Sequence, residues 1–427
     1  MPDEDASAAS PAEILEVKRV HTLTRDGYLL FATRIARLFA YGFLSVVLVL
    51  YLNQVGFNTA QIGVLLTLTL IGDTLISLWI TTQADRIGRK RMLLVGAGLM
   101  LLAGVVFALT RNYVFLVLAA TVGVISPSGN EVGPFLAIEQ ASLAQIVSDR
   151  RRTQLFAWYN LVGSFATATG ALIGGALAQL LQNNGVQPLN SYRAVVIGYA
   201  IMGGVLAALF SQLTSGIEAP VRPDHASVRS RLGLHRSRGV VFRLSALFAL
   251  DAFAGGLVVQ SIVAFWFHTR FGVPPGVLGA IFFGANVLAG ISALLAARLA
   301  KKIGLINTMV FTHIPSNVLL ILVPFMPTLP LAIALLLLRF SISQMDVPTR
   351  QSYTMAVVDP DERSAAAGVT GIARTTGAAL SPSLAGPLLA SAGLMGLPFV
   401  LSGTLKIVYD LLLYRNFRRI KPPEEQR

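Results

Sequence analysis

Long apolar segments recur along the chain, and short polar loops separate them. A membrane-spanning helix needs about 20 consecutive, predominantly apolar residues. The pattern predicts twelve such spans, with ends accurate to about two to four residues. The predicted spans are residues 27–52, 60–82, 92–110, 114–146, 154–180, 193–212, 241–267, 276–299, 305–326, 329–357, 364–390 and 394–414.

The composition agrees with a membrane protein and excludes several kinds of site. Hydrophobic residues make up 54% of the 427 residues and charged residues 13%, whereas a soluble domain carries about 25% charged residues. The chain has no cysteine, which excludes disulfides, thiolate metal ligands and cysteine nucleophiles. The N-terminal segment MPDEDASAASPAEILEVKRV lacks an apolar core, so no cleavable signal peptide is predicted.

The net charge of +13 is distributed unevenly between the two sides of the predicted membrane protein. Most of the 34 lysine and arginine residues fall in the tails and in alternate loops, while Arg111, Arg193 and Arg270 fall in the remaining loops or at the span end beside them. Such asymmetry marks the cytoplasmic side of a membrane protein. We therefore expect a multi-pass protein with both termini in the cytoplasm, in the cytoplasmic membrane if the source is bacterial. No nucleic-acid partner is expected.

The longest polar stretch between spans, residues 215–239, separates six spans from six. The two sets repeat each other: Gly63 corresponds to Gly279 at an offset of 216 residues, and Glu139 to Arg350 at 211. Six spans per half give both halves the same orientation, so the repeat is parallel. The predicted organisation is a cytoplasmic tail at 1–26, a six-helix bundle at 27–212, a central cytoplasmic linker at 213–240, a second six-helix bundle at 241–414 and a cytoplasmic tail at 415–427.

The loop between spans 2 and 3 carries a dense group of charges in the sequence ADRIGRKRM. It resembles the signature loop of the major facilitator superfamily, although Thr81 and Gln83 depart from the family's pattern. The resemblance implies an all-α fold of twelve transmembrane helices in two parallel-repeat six-helix bundles, which work by alternating access. It also implies that this loop latches the halves together on the cytoplasmic side through Asp85, Arg86, Gly88, Arg89 and Lys90.

Six acidic and six basic residues are predicted to lie more than three residues inside the span ends. An isolated charge at the bilayer centre costs at least about 2.5–3.5 kcal/mol, so we expect ion pairs or a wet cavity. Eight of the twelve lie on spans 1, 4, 7 and 10, which line the central cavity in the superfamily that the chain resembles. We predict proton coupling by Glu139, Asp251, Glu131 or Asp346, and substrate binding or gating by Arg34, Arg37, Arg339 or Arg350.

Three interpretations of these charges remain open: static ion pairs, a gate that closes the cytoplasmic side, and a coupling site whose carboxylate releases its proton near an arginine. Some of the arginines could instead extend their charged ends to the inner membrane surface. Lys406 and Asp410, four residues apart on span 12, are predicted to form a local pair. Asp73 and Arg374 receive no role.

Span 5 carries spaced glycines in the sequence LVGSFATATGALIGGAL. The spacing of Gly170, Gly174 and Gly175 resembles a motif of superfamily antiporters, with Ala171 in place of the motif's proline. Span 11 has a similar segment, TTGAALSPSLAGPLLA. Small residues let helices approach closely and slide, and the resemblance favours export.

The first functional hypothesis is a secondary active transporter that exports a small amphipathic organic compound in exchange for protons. The alternative is proton-coupled or facilitated uptake of an organic anion, and a non-transporting membrane sensor or scaffold is the third hypothesis. No P-loop, HExxH or G-x-S-x-G motif occurs, so no enzyme activity, cofactor or metal site is predicted. The expected partners are a small-molecule substrate, protons and the lipid bilayer, with the chain as a monomer.

Overall fold

The computed structural model describes residues 23–131, 133–146, 149–218, 236–359 and 362–420. Every regular element in these ranges is a helix. Eight helical segments of the described residues are long and apolar enough to cross a membrane, and a pair bent by 47° brings the number to nine when it is taken as one span. The all-α polytopic fold predicted from the sequence is confirmed.

The first half of the chain, residues 23–218, contains spans 1 to 6. Local sequence signals fix several helix ends. At the start of span 2, the side chain of Asn58 accepts a hydrogen bond from the Gln61 backbone N–H at 2.9 Å. This bond satisfies a backbone donor that the helix itself leaves free. The helices are Arg25–Ser45 and Leu48–Val55 in span 1, Thr59–Ile87 in span 2, Arg89–Leu109 in span 3, Tyr113–Val122 and Phe135–Ile146 in span 4, Asp149–Asn183 in span 5, and Pro188–Ser211 in span 6, followed by the 3-10 turn Ser215–Ile217.

The second half, residues 236–420, repeats this layout. Gly88 between spans 2 and 3 and Gly304 between spans 8 and 9 both have positive φ angles, +116° and +87°, so the same glycine-dependent tight turn occurs in each half. The helices are Arg238–Gly256 and Gln260–Phe271 in span 7, Pro275–Ile303 in span 8, Leu305–Leu322 and the 3-10 turn Val323–Phe325 in span 9, Leu329–Phe340 and Asp346–Ala356 in span 10, Arg363–Leu380 and Pro382–Leu389 in span 11, and Leu397–Phe417 in span 12.

Spans 1, 4, 7 and 10 are interrupted near their middles, at corresponding positions of the two halves. Span 4 has the longest interruption, where the described residues 123–131 and 133–134 are not helical, so the prediction of one continuous span over residues 114–146 is corrected. Gly129 and Gly133 lie in this segment with φ angles of +71° and +83°, and a right-handed helix does not accommodate such angles. The other interruptions are residues 46–47, 257–259 and 341–345.

Unwound backbone inside a membrane needs hydrogen-bond partners from the protein itself. In span 4, the hydroxyl of Tyr199 donates to the carbonyl oxygen of Val124. The backbone N–H of Ser261, in span 7, donates to the carbonyl oxygen of Pro127 at 3.1 Å. The interrupted segment is therefore tied both to its own half and to the other half.

Glycines allow the two halves to cross at two corresponding places. A Cβ built on Gly63 of span 2 would lie 3.1 Å from the Cα of Gly386 in span 11. A Cβ built on Gly175 of span 5 would lie 2.9 Å from the Cα of Gly279 in span 8. Gly63 corresponds to Gly279 in the repeat, and Gly175 to Gly386. Because a larger residue at any of the four positions would push two backbones apart, close packing between the halves depends on glycine.

The described hydrogen bonds between the halves lie from the middle of the spans toward one side of the molecule. We define the linker face as the side that carries both ends of the linker. Toward the opposite face, the Ser383 backbone N–H donates to Thr67 Oγ1 at 2.9 Å, and near the middle of the spans Gln260 Nε2 donates to Ser45 Oγ at 2.8 Å. These bonds and the glycine crossings join the halves away from the linker face.

Candidate functional site

Two clusters of charged side chains are buried among the spans, one in each half. In the first-half cluster, Glu139 accepts hydrogen bonds from Nη1 and Nη2 of Arg37 at 2.8 and 2.7 Å. Thr33 Oγ1 donates to the same carboxylate at 2.7 Å, and the hydroxyl of Tyr159 donates to its other oxygen. Glu139 and Arg37 have no exposed surface. A buried ion pair persists when further hydrogen bonds satisfy its polar atoms, and Glu139 meets that condition.

Glu131 lies in the interruption of span 4 and belongs to the same cluster. Its carboxylate lies 2.7 Å from Arg34 Nη1 and 2.8 Å from Arg37 Nε. The Glu131 side chain keeps 16% of its surface exposed, whereas that of Arg37 keeps none. Arg34 also donates from Nε to the carbonyl oxygen of Tyr159 at 2.8 Å. Both arginines are therefore held by buried partners and do not extend to the membrane surface.

The second-half cluster centres on Asp251 of span 7. Its carboxylate lies 3.0 Å from Arg350 Nη1 and 2.6 Å from Lys406 Nζ. Asp346 lies 3.0 Å from the same nitrogen of Arg350. Arg350 is 3% exposed, so it too is engaged inside the bundle. The cluster joins spans 7, 10 and 12.

The predicted local pair of Lys406 and Asp410 on span 12 is wrong. Lys406 reaches span 7 instead, while Asp410 Oδ1 lies 2.9 Å from His313 Nδ1 of span 9. Asn317 Nδ2 donates to the second oxygen of Asp410 at 3.2 Å. Helical spacing places two side chains on one face, but neighbouring spans supplied each of them with a partner at hydrogen-bonding distance.

The two clusters carry their charges in opposite order. Span 1 supplies arginines and span 4 glutamates in the first half, whereas span 7 supplies an aspartate and span 10 an arginine in the second. Glu139 and Arg350 are corresponding positions of the repeat. Among the residues that the structure describes, no ion pair joins the clusters, and no group of three or more His, Asp or Glu residues could hold a metal ion. The paired charges are neutralised within each half.

Asp73, at the midpoint of span 2, forms no ion pair within the described part of the chain. It is buried, and its Oδ1 has no hydrogen-bond partner. Glu131, Tyr41 and Tyr199 lie close enough to act on it electrostatically. An ionised carboxylate in such surroundings is costly. The sequence shows a carboxylate in the middle of a span but not the neighbours of that carboxylate, which is why it assigns Asp73 no role.

Arg339 of span 10 and Arg374 of span 11 are unpaired charges deep within the described spans of the second half. Neither forms an ion pair or a side-chain hydrogen bond with any described residue, and the Nε atom of each is buried without a partner. Both guanidinium groups lie close enough to Asp251 and Asp346 to interact with them electrostatically. The first half therefore has an unpaired carboxylate, and the second has two unpaired guanidinium groups.

The charged loop between spans 2 and 3 binds the start of the linker. Asp85 pairs with Arg89 at 2.8 Å, and Arg86 is exposed. The backbone N–H groups of Arg89 and Lys90 donate to the carboxylate of Glu218 at 2.6 and 3.2 Å, a favourable place for an acid because it is a helix N-terminus. In the described ranges, the loop forms no hydrogen bond or ion pair with the second half. Glu218 carries no signal in the sequence, since its role depends on how the preceding 3-10 turn folds.

The glycines of span 5 pack against two neighbours. A Cβ on Gly170 would lie 2.1 Å from the carbonyl oxygen of Phe39, and one on Gly174 would lie 2.2 Å from that of Phe43, both in span 1. Gly175 faces span 8 at the crossing described above. Close helix contact explains all three glycines, whichever way a substrate moves.

The chain resembles known membrane proteins over nearly its whole length. The sequence model of the Major Facilitator Superfamily matches residues 30–382. The uncharacterized membrane protein YJR124C of Saccharomyces cerevisiae is 30% identical over 419 residues, which cover 91% of this chain and 93% of that protein.

Solved transporter structures share the fold. A bacterial homolog of the human lysosomal transporter Spinster, in an inward-facing and unoccupied conformation, has a TM-score of 0.71 at 16% identity, covering 92% of this chain and 97% of that one. A D-xylose-proton symporter has a TM-score of 0.69 at 15% identity, with 91% and 97% covered. The human organic anion transporter MFSD10 has a TM-score of 0.62 at 16% identity, with 92% and 100% covered. At these identities the likeness concerns the fold alone.

Proposed function

The chain belongs to the Major Facilitator Superfamily, and we propose that it is a proton-coupled secondary transporter of a small amphipathic organic compound. It works by alternating access: the halves rock about a site between them and expose it to one side of the membrane at a time. We place the linker face in the cytoplasm, in agreement with the distribution of basic residues, and we propose that a single chain suffices.

The observation that carries this proposal is where the described hydrogen bonds and glycine crossings between the halves lie, from the middle of the spans to the face opposite the linker. The charged loop of the linker face, from Asp85 to Lys90, forms no hydrogen bond or ion pair with a described residue of the second half. Each half also neutralises its ion pairs internally. Two bodies that keep their own charges satisfied can separate at one face and close at the other without breaking buried ion pairs, which alternating access requires.

We propose that Glu131 and Asp73 together bind the coupling proton. Glu131 is the partly exposed carboxylate of the first-half cluster, and Asp73 lies within its electrostatic reach without a cation of its own. Two nearby carboxylates repel each other when both are ionised, and one shared proton relieves that repulsion. Glu139, Asp251 and Asp346 are instead assigned to stable ion pairs, because each is paired with arginine or lysine and nearly fully buried. Glu131 also pairs with two arginines, but its side chain keeps 16% of its surface exposed.

We propose export as the direction of transport. The support is the resemblance of Gly170, Gly174 and Gly175 to an antiporter motif. The loop from Asp85 to Lys90 acts as the latch of the linker face and holds the linker through Glu218 in the conformation described. Its contacts with the second half belong to the conformation in which the linker face closes.

One observation favours a second candidate, transport of an organic anion in either direction. Arg339 and Arg374 are unpaired cations among buried groups, and a cation in a low-dielectric site attracts an anionic substrate. A proton carried with an anion, or exchanged for one, is compatible with the same pair of carboxylates. The two candidates differ in the charge of the substrate.

Purified protein in liposomes that contain a pH dye tests the coupling. Anionic, neutral and cationic naphthalene derivatives (2-naphthalenesulfonate, 2-naphthamide and 2-naphthyltrimethylammonium) are added to one side. We expect proton movement with at least one of them, lost in Glu131→Gln but retained in Glu139→Gln and in the exposed control Arg111→Gln. Equal proton movement in Glu131→Gln and the wild type would reject the carboxylate pair. Comparing vesicles in which the protein is inserted in opposite orientations reports the direction of transport.

A further inference from the structure

We propose that Arg339 and Arg374 form, at the edge of the second-half cluster, a binding site for the anionic group of the transported compound. The ligand is an organic molecule with a compact oxyanion, a carboxylate, sulfonate or phosphate, on an apolar body. This inference rests on the proposed transport function and names the chemistry of its substrate.

The position of Arg374 follows from the packing of span 11. Thr370, Arg374 and Gly377 lie on one helical face, and a Cβ on Gly377 would lie 2.3 Å from the carbonyl oxygen of Ala249 in span 7. That face therefore packs against the span that carries Asp251. From this face, the Arg374 guanidinium lies within electrostatic reach of that of Arg350. Two neighbouring guanidinium groups repel each other, and an anion bound beside them relieves the repulsion.

Arg339 approaches the same cluster from span 10. It continues the buried face of Ala332 and Leu336 and ends the first helix of that span. Its guanidinium lies over the ring of Phe340, with 5.0 Å from the guanidinium carbon to the ring centroid. The group also lies within electrostatic reach of Asp346, yet it makes no ion pair with any described residue. Its Nε atom is buried without a hydrogen-bond partner, so the guanidinium keeps a donor available for a ligand.

The charge balance of the two halves supports a ligand rather than a structural role. In the first-half cluster, every arginine is paired: Arg34 with Glu131, and Arg37 with both Glu131 and Glu139. In the second, two aspartates neutralise one arginine and one lysine, and the remaining arginines have no carboxylate. Arginines kept solely for structure would be expected to have partners, as those of the first half do.

The donor groups and their surroundings define the class of ligand. A guanidinium presents a planar fork of N–H donors that matches the two oxygens of a carboxylate, sulfonate or phosphate. Aromatic rings adjoin the cluster: Arg350 lies 5.4 Å from the ring centroid of Phe248, and Arg339 stacks on Phe340. Rings beside fixed donors suit an anion with an apolar body, since such sites bind the body by burial and orient it by a few polar contacts.

Binding is tested with the full-length protein in lipid-free detergent, by thermal unfolding and by equilibrium binding. The probes are 2-naphthalenesulfonate, 2-naphthyl phosphate and the neutral 2-naphthamide. We expect both anions to bind the wild type and the amide not to bind. Arg374→Gln and Arg339→Gln should each weaken anion binding by about tenfold or more, the loss of one charge-assisted contact. Arg374→Lys, which keeps the charge but loses the fork, should bind with intermediate affinity, and the exposed control Arg111→Gln should match the wild type.

Two results would overturn the proposal. The first is a wild type that binds neither anion, and if added phosphatidylglycerol stabilises that protein, the arginines are assigned to lipid phosphate. The second is an Arg374→Gln variant that binds the anions as tightly as the wild type. Binding in detergent is independent of transport, so anion binding without flux in liposomes would reject the transport proposal and leave the site intact.

Discussion

The two halves of the molecule share one architecture but differ in their buried charges. Both place interrupted helices at the centre, glycine crossings at the opposite face and a glycine turn after the second span. Among the described residues deep within the spans, Asp73 of the first half forms no ion pair with a cation, and Arg339 and Arg374 of the second form none with a carboxylate. A repeat thus preserves packing, which both halves need, while the polar chemistry at corresponding positions differs. We attribute the proton to the first half and the substrate's charge to the second.

The largest expected effect comes from breaking the paired charges, where the halves should behave alike. Arg37→Ala leaves Glu139 buried without a cation, and Arg350→Ala does the same to Asp346. Removing one partner of a buried pair costs about 3–5 kcal/mol, so both variants should lower the free energy of unfolding by that amount. Equilibrium unfolding in mixed detergent micelles measures it, with the exposed Arg111→Ala as the control. A loss in one half alone would show that the clusters are not equivalent.

Substitution of the unpaired arginines should change the free energy of unfolding in the opposite direction. Arg374→Gln removes a partly buried charge that forms no ion pair with a described residue, so the free energy of unfolding should rise or stay constant. A charge costs about 2.5–3.5 kcal/mol at the centre of a membrane helix. The same measurement with Arg339→Gln should agree. If either variant unfolds as readily as Arg37→Ala, that arginine has a structural partner and the contrast between the halves disappears.

The glycine crossings should give a smaller effect that is again equal in the two halves. Gly175→Val and Gly386→Val each introduce a side chain against a backbone of the other half, and overpacking of this kind costs about 1–3 kcal/mol. Both variants should slow transport in liposomes because the opposite face no longer closes. Gly204→Val is the matched control, since no atom lies within 4 Å of a Cβ built there. Normal transport by both crossing variants would contradict the need for close contact.

The smallest effect is expected at the charged loop. Asp85 is 65% exposed, and an exposed ion pair contributes about 0–1 kcal/mol, so Asp85→Asn should barely change the free energy of unfolding. Glu218→Gln should cost more, because that carboxylate accepts two backbone N–H groups at a helix N-terminus. Salt titration of the unfolding transition separates the two contributions. An Asp85 variant less stable than the Glu218 variant would reverse this assignment.

The sequence predicts the fold well because its signals are local and repeated. Apolar segments of span length and a glycine turn at Gly88 are visible in any short window, and the charged residues of spans 1, 4, 7 and 10 do form buried clusters. Pairing within those clusters is not local. Lys406 finds Asp251 at a separation of 155 residues, and only the fold reveals that Asp73 has no such partner. The unpaired groups, which carry the functional proposals, are therefore the part that residue spacing misses.

Anion flux and proton flux, measured together in liposomes for the wild type, Asp73→Asn and Arg374→Gln, test the central claim most directly. The probe is 2-naphthalenesulfonate, which stays ionised and does not carry protons across the lipid by itself. We predict that Asp73→Asn still exchanges labelled naphthalenesulfonate between equally loaded sides but moves no protons, and that Arg374→Gln loses both fluxes. Two results would contradict the division of roles between the halves. One is an Asp73→Asn variant that moves as many protons per anion as the wild type, and the other is normal anion exchange by Arg374→Gln.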